Sequence, residues 1–120
     1  MKREHIEQVL REFVDGKVIL GGSLVRADGR TVASYCVGID NATLDLMARD
    51  SFSAKRRRGT DFPILGSLDF SMTIYEKLSV GLASISEKTY VQLVAKPELH
   101  LQAFHSKLRS IAEKLEPHLL

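Results

Sequence analysis

Three apolar segments follow one another between residues 68 and 95, separated by connections of only two to four residues. We predict strands at residues 68–75, 78–85 and 90–95. Connections this short cannot carry the chain back across a sheet, so these strands must run antiparallel. One face of the second segment carries Ser79, Gly81 and Ala83, which would let a helix approach closely. The pattern therefore predicts an antiparallel sheet that is covered on both faces.

A second pair of strand-like segments precedes this region. Residues 18–25 and 31–37 are rich in apolar side chains, and Ala27, Asp28, Gly29 and Arg30 lie between them. An Asp-Gly pair marks a tight turn because glycine accepts the positive φ that such a turn demands. The two segments therefore predict a β-hairpin.

Three further segments have the apolar spacing of helices. The first covers residues 6–14. Asp40 or Asn41 can cap a middle helix that extends to residue 58. Pro97 is expected in the first turn of a last helix, and Pro117 is expected to end it. The apolar stripe of that last helix comprises Leu101, Phe104, Leu108, Ile111, Ala112 and Leu115.

The predicted element order is α-β-β-α-β-β-β-α. No internal repeat, linker or low-complexity segment divides the chain, so residues 1–120 are expected to form a single domain. The fold class that follows is a mixed α/β protein of the α+β type. It consists of a five-stranded antiparallel sheet with helices on both faces.

Composition excludes several classes of protein. The hydrophobic fraction is 44%, the net charge is only +2, and no apolar run approaches the roughly 18 residues of a membrane helix. Cys36 has no second cysteine with which to form an internal disulfide and is expected to be a small buried hydrophobe. We therefore expect a soluble, cytoplasmic protein with no transmembrane segment.

No local motif supplies catalytic chemistry. The chain lacks the serine-hydrolase, zinc-protease, CxxC, Walker and dinucleotide-binding signatures. His5 and His118 lie near the two ends of the chain. His100 and His105 are five residues apart, which on a helix separates them by about 140° and is unlike a metal-binding pair. We predict no enzyme, no metal site and no cofactor.

The element order and the hairpin together resemble the Roadblock family of dynein light chains and their prokaryotic relatives. The matching stretch is residues 21–34, which read Gly-Gly-Ser-Leu-Val-Arg-Ala-Asp-Gly-Arg-Thr-Val-Ala-Ser. The strand at residues 78–83 and the helix at residues 99–115 are also similar to the closing half of that family. The resemblance covers nearly the whole chain.

The resemblance implies a profilin-like or Roadblock-like sheet, with the middle helix on one face and the terminal helices on the other. It also implies a noncatalytic homodimeric regulatory or scaffolding module. The partner that it implies is a small Ras-like GTPase, a motility or transport complex, or a related Roadblock-like chain. Dimers of the family pair the middle helices and the edge strands that follow them.

The residues point to a dimer surface independently. Leu46 points away from the buried face of the middle helix, and the strand at residues 68–75 would be an apolar edge that invites pairing with a second copy. The alternative is that Leu46 is an incidental exposed leucine and that Asp69 and Lys77 guard the edge. The predicted interface comprises Ala42, Leu46, Asp50, Ser53, Ala54, Leu68, Phe70, Met72 and Ile74.

The chain has one dense cluster of positive charge, formed by Lys55, Arg56, Arg57 and Arg58. One interpretation is an anchor for an acidic partner, a phospholipid or a nucleic acid. The other is a set of cations that offsets the partial negative charge at the C-terminus of the middle helix. Nucleic acid is disfavoured because no aromatic side chain interleaves with the run to stack on bases.

A second hypothesis for function is a small-molecule-sensing module of the profilin or PAS type, which holds a ligand between sheet and helix. Tyr35, Cys36, Phe70 and Met72 are the residues that could line such a cavity, with a packed core as the alternative.

Overall fold

In the computed structural model, residues 3–50, 70–86 and 88–119 are described. The helices are α1 (Arg3–Phe13), α2 (described over residues 41–50) and α3 (Leu101–Leu115), and a 3₁₀ turn (Glu116–Leu119) follows α3. The strands are β1 (Ile19–Arg26), β2 (Thr31–Cys36), β3 (Phe70–Ile74), β4 (Ser79–Ser86) and β5 (Thr89–Ala95). The predicted element order is confirmed. The predicted second half of the middle helix and the first two residues of the third strand lie outside the described residues.

The five strands form one antiparallel sheet in the order β2-β1-β5-β4-β3. The α+β fold class is confirmed, and β2 and β3 are the edge strands among the described residues. The β1–β2 hairpin turns at Gly29, which has a φ of +89°. The Gly29 amide donates to the Arg26 carbonyl at 2.8 Å, and Asp28 Oδ1 accepts a bond from the Arg30 amide at 2.9 Å.

Helices cover both faces of the sheet, as predicted. On one face, α1 and α3 pack against the sheet and form an apolar core. This core includes Leu10 of α1, Leu24 of β1, Leu93 of β5, and Phe104 and Leu108 of α3. On the other face, α2 places Leu44 and Ala48 against β1, β4 and β5. A sheet buried on both sides explains why nearly every residue of β5 is buried.

Gly81 in the middle of β4 lies directly beneath α3. A Cβ atom at this position would lie 2.5 Å from Leu108 Cδ1 and would also collide with the Phe104 ring. Both of these side chains are fully buried, so they would have to shift within the packed core to admit a methyl group. The predicted close approach of a helix to the small-residue face of this strand is confirmed.

Two details of the last helix differ from the prediction. Pro97 is not in the first turn of α3, because the Leu99 amide bonds to the Lys96 carbonyl at 3.2 Å and closes a separate turn before the helix begins. Leu101 is 57% exposed, so the buried stripe starts one turn later, at Phe104.

Asp15 organises the connection from α1 to β1. One of its carboxylate oxygens, Oδ1, accepts bonds from the amides of Lys17 and Val18 at 2.8 Å and from the amide of Ile19 at 3.0 Å. The Val18 and Lys17 bonds hold the pKa of this carboxyl below its ordinary value, with a smaller contribution from the Ile19 bond.

Substitution at Gly81 tests the packing of α3. We expect Gly81→Ala to destabilise the fold by about 1–3 kcal/mol because the new methyl group overpacks a closed core. Gly22→Ala is the matched control, since its Cβ would meet Leu93 and Leu10 at 3.1 and 3.3 Å. We expect it to change stability by less than about 1 kcal/mol. Urea unfolding measures both variants, and equal effects would contradict the packing described for α3.

Asp15→Asn tests the charge of the α1–β1 connection. Because the folded-state pKa is lowered, the stabilisation is complete above the unfolded-state pKa, whose ordinary value is 3.8, and is lost as the pH falls through the folded value. We therefore expect the variant to have a lower free energy of unfolding than the parent at pH 7 and the difference to disappear in acid. Glu98→Gln, which removes an exposed negative charge elsewhere, controls for net charge. A difference that is independent of pH would contradict this account.

Candidate interaction surface

Large apolar side chains are exposed where α2 meets the β3–β4 connection. Leu46 is 65% exposed on the outer face of α2, and Tyr75, at the end of β3, is 43% exposed. Ile74, the last residue of β3, is 70% exposed on the opposite face of the sheet, which it shares with Phe70 and Met72. The prediction that Leu46 points away from the sheet is confirmed, because Leu44 and Ala48 on either side of it are fully buried.

A groove with a volume of about 310 Å³ lies between α2 and the β3–β4 connection. We call it the α2–β3 groove, and it is lined by Leu46, Met47, Asp50, Tyr75, Lys77 and Leu78. The Tyr75 hydroxyl donates to Asp50 Oδ2 at 3.2 Å across the groove. Partial burial and this carboxylate raise the pKa of Tyr75, so the hydroxyl stays protonated and can donate at neutral pH.

The β3–β4 pairing positions one wall of the groove. Phe70 pairs with Ala83 and Ile74 pairs with Ser79, and the Tyr75 amide then donates to the Leu78 carbonyl at 2.7 Å. This bond closes the turn and brings Tyr75 and Leu78 to the same end of the sheet.

Hydrogen bonds from α2 to the sheet position the other wall. Thr31 Oγ1 on β2 donates to Asp45 Oδ1 at 2.7 Å, and the Gln92 side-chain amide on β5 donates to the Leu44 carbonyl at 3.1 Å. Gln92 is fully buried, and its Oε1 has no hydrogen-bond partner among the described residues. α2 is therefore held by one buried and one partly buried hydrogen bond as well as by Leu44 and Ala48.

Asp40 begins α2, as predicted. Its Oδ1 accepts bonds from the Thr43 hydroxyl at 2.6 Å and from the Thr43 amide at 2.7 Å. These two bonds keep the pKa of Asp40 below its ordinary value, which is the effect expected of a charged N-cap. The direction in which α2 leaves the β2 edge is thereby fixed at its first turn.

The predicted dimer residues fall into three groups. Ala42, Leu46 and Asp50 are all exposed on α2. Among the β3 residues, Ile74 is exposed, whereas Phe70 and Met72 are half-buried against the α1–α3 core. The remaining predicted dimer residues, which lie outside the described residues, are Ser53, Ala54 and Leu68. The predicted acidic-partner contact also lies outside them and comprises Lys55, Arg56, Arg57 and Arg58.

Sequence reasoning missed several groove residues. Tyr75 and Leu78 flank the two-residue connection between β3 and β4. A tyrosine beside such a short turn is the sequence feature that could have indicated this surface. Met47 packs on the core beneath α2 and also lines the groove. Lys77 had been considered only as a guard of the edge strand.

The structure does not bring together the four residues predicted to line a ligand cavity. Tyr35 and Cys36 are consecutive on β2 and point to opposite faces, while Phe70 and Met72 lie on the other edge strand. A cavity of about 170 Å³ does lie beside Phe70, His105 and Arg109. Its volume is below the roughly 300–1,000 Å³ of typical small-molecule sites.

Cys36 is a partly buried side chain that packs beneath α2 against the cluster of Leu44, Val80 and Val94. Burial, with a smaller contribution from the charge of Asp40, raises the pKa of its thiol. The Sγ atom lies 3.4 Å from Asn41 Oδ1, to which the thiol donates. A raised pKa disfavours the thiolate that a nucleophile or a metal ligand requires.

The histidines do not converge on a metal site. The His105 ring contacts Phe70 with centroids 4.6 Å apart, and His5 and His118 contact each other at 5.5 Å. No group of three or more potential metal ligands occurs within residues 3–50, 70–86 and 88–119. In the same part of the chain, no helix is long and apolar enough to cross a membrane.

Comparisons with known proteins identify the fold. No protein-family model matches the chain, and no curated protein sequence does. A Roadblock/LC7 domain from Streptomyces avermitilis is similar, with a TM-score of 0.78 and 16% identity, over 94% of this chain and 96% of that one. The gliding protein MglB from Thermus thermophilus has a TM-score of 0.81 and 16% identity, over 96% and 88% of the two chains. An MglB structure with a tetrameric arrangement has a TM-score of 0.82 and 18% identity, again over 96% and 88%.

Proposed function

We propose that this chain, which has the Roadblock/LC7 fold, is a noncatalytic cytoplasmic module that forms a homodimer and regulates or scaffolds a small Ras-like GTPase. The observation that carries the proposal is the exposed, largely apolar α2–β3 groove, which lies beside the outer edge of β3. Exposed apolar patches rimmed by polar residues mark protein interaction sites.

The occupant that fits this surface best is a second copy of the chain. β3 is an edge strand whose only partner among the described residues is β4, so the backbone groups along its outer side offer a pairing template. Pairing two β3 strands would bring the two α2 helices together, because the groove joins these elements. An interface of this kind would bury roughly 1,600 Å², the ordinary size for a stable complex.

One similar structure is of MglB in a tetrameric arrangement, so self-association is compatible with this fold. A related Roadblock-like chain could take the place of the second copy, since the same edge and groove would be used. The proposed GTPase partner rests on the resemblance to the Roadblock family, together with the exposed platform that a dimer would create.

Leu46→Glu tests the proposed dimer. A charge at a 65% exposed leucine leaves the monomer intact but would be buried in the dimer, so we expect the dimer dissociation constant to rise by at least about thirtyfold. Sedimentation equilibrium measures this constant.

Leu101→Glu is the matched control, because Leu101 is also an exposed helical leucine, at 57%, but lies outside the groove. We expect it to leave the dimer unchanged. A monomeric parent protein at tens of micromolar, or equal dissociation of the two variants, would contradict the proposed surface.

We also propose that Lys55, Arg56, Arg57 and Arg58 contact an acidic region of the protein partner. Reversing all four charges should weaken binding to a purified small Ras-like GTPase, measured by calorimetry in its GDP-bound and GTP-analogue-bound forms. The loss should be largest at low salt, because exposed charges are screened at high ionic strength. If the charge-reversed variant binds with unchanged affinity, this run is not part of the interface. If the parent dimer binds no GTPase of the same organism, the proposed class of partner is wrong.

A further inference from the structure

The end of the sheet opposite the β3–β4 connection carries a groove of a different character. It has a volume of about 440 Å³, lies between the β1–β2 turn and the β4–β5 turn, and is lined by Arg26, Ala27, Asp28, Lys88 and Thr89. We call it the basic groove. Backbone pairing holds its two sides together, because Arg26 pairs with Thr89 and the Ala27 amide donates to the Lys88 carbonyl at 2.9 Å.

Two exposed cations, Arg26 and Lys88, line this groove, and two more, Arg30 and Arg49, lie near the β1–β2 turn that bounds it. Arg26 ends β1, Lys88 lies in the β4–β5 turn, and Arg30 follows the β1–β2 turn. Arg49 of α2 passes beside the same turn, since its Cγ lies 4.0 Å from where a side chain on Gly29 would begin. Asp28, the acidic residue that lines the groove, is already paired with Arg30 at 3.8 Å. Glu87 falls outside the described residues.

We infer that the basic groove is a docking site for an acidic polypeptide segment, separate from the α2–β3 groove. The groove presents guanidinium and ammonium groups spread over the ends of several elements, which matches carboxylates spaced along an extended chain. Its volume is large enough to receive side chains of such a segment.

The backbone argues against a compact phosphate site. A phosphate cradle needs free amide N–H groups that converge on one point. In these turns the amides of Arg26, Ala27 and Gly29 donate to carbonyl oxygens. The Arg30 and Lys88 amides donate to the side chains of Asp28 and Ser86.

The surrounding side chains argue against a membrane or a nucleic acid. The exposed large apolar residues of the described chain are Val37, Leu46, Ile74, Tyr75 and Leu101, and none of them lines the basic groove. Among the described residues, no large apolar side chain is thus placed at this groove to enter a bilayer. Tyr90, which follows Thr89, is buried and cannot stack on bases.

Fluorescence anisotropy with a fluorescein-labelled peptide of ten glutamates tests the inference on the full chain. We expect saturable binding that weakens with added salt, and an affinity at least about fivefold lower for the Arg26→Glu/Lys88→Glu variant. The matched control is Lys96→Glu/Lys107→Glu, which changes net charge equally at two exposed lysines outside the groove and should bind like the parent.

Competition experiments decide the chemistry of the partner. Inorganic phosphate, vesicles of phosphatidylcholine with phosphatidylserine, and single-stranded oligothymidylate should each compete poorly at matched charge concentration. Tighter binding to any of these than to the peptide would overturn the inference, as would equal loss in the two double variants. Sedimentation equilibrium of the same variants distinguishes loss of peptide binding from loss of the proposed dimer. The Arg26→Glu/Lys88→Glu variant should remain dimeric.

Discussion

The rest of the structure depends on a five-stranded sheet that is buried on both faces. The α1–α3 layer closes one face by packing Phe104 and Leu108 onto Gly81, and α2 closes the other through Leu44 and Ala48. Because the central strands have no solvent-exposed face, binding surfaces are confined to the sheet edges, the outer faces of the helices and the turns. Both proposed surfaces lie at such places.

The two helical layers are attached to the sheet by different interactions. The α1–α3 layer forms a continuous apolar core with β1, β4 and β5. α2 has a smaller apolar contact and adds bonds from Gln92, Thr31 and Tyr75 to its Leu44 carbonyl and to Asp45 and Asp50. Such directional bonds specify one position for α2 on the sheet. That position is what places Leu46 beside Tyr75, so the geometry of the α2–β3 groove follows from the polar contacts of this helix.

Local sequence patterns predicted the antiparallel strands, the turn at Gly29 and the outward direction of Leu46. Alternation places Phe70, Met72 and Ile74 on one face of β3, but it could not predict how far along the strand the α1–α3 core extends, so half-buried Phe70 and Met72 were grouped with exposed Ile74. Pro97 is compatible with a turn as well as with a helix start, so its type alone could not decide between them. The basic groove joins residues far apart in sequence, and only the pairing of β1 with β5 brings them together.

The most direct test of the central claim is an intermolecular distance measured by pulsed electron spin resonance on protein with one nitroxide label per chain. The label is placed at Thr73→Cys on β3 or, as a control, at Arg30→Cys near the opposite edge, each in a Cys36→Ser background. Paired edge strands lie about 5 Å apart, so labels at residue 73 should be separated by less than about 25 Å, closer than labels at residue 30. Absence of intermolecular coupling at tens of micromolar, or a shorter distance at residue 30, would contradict the account.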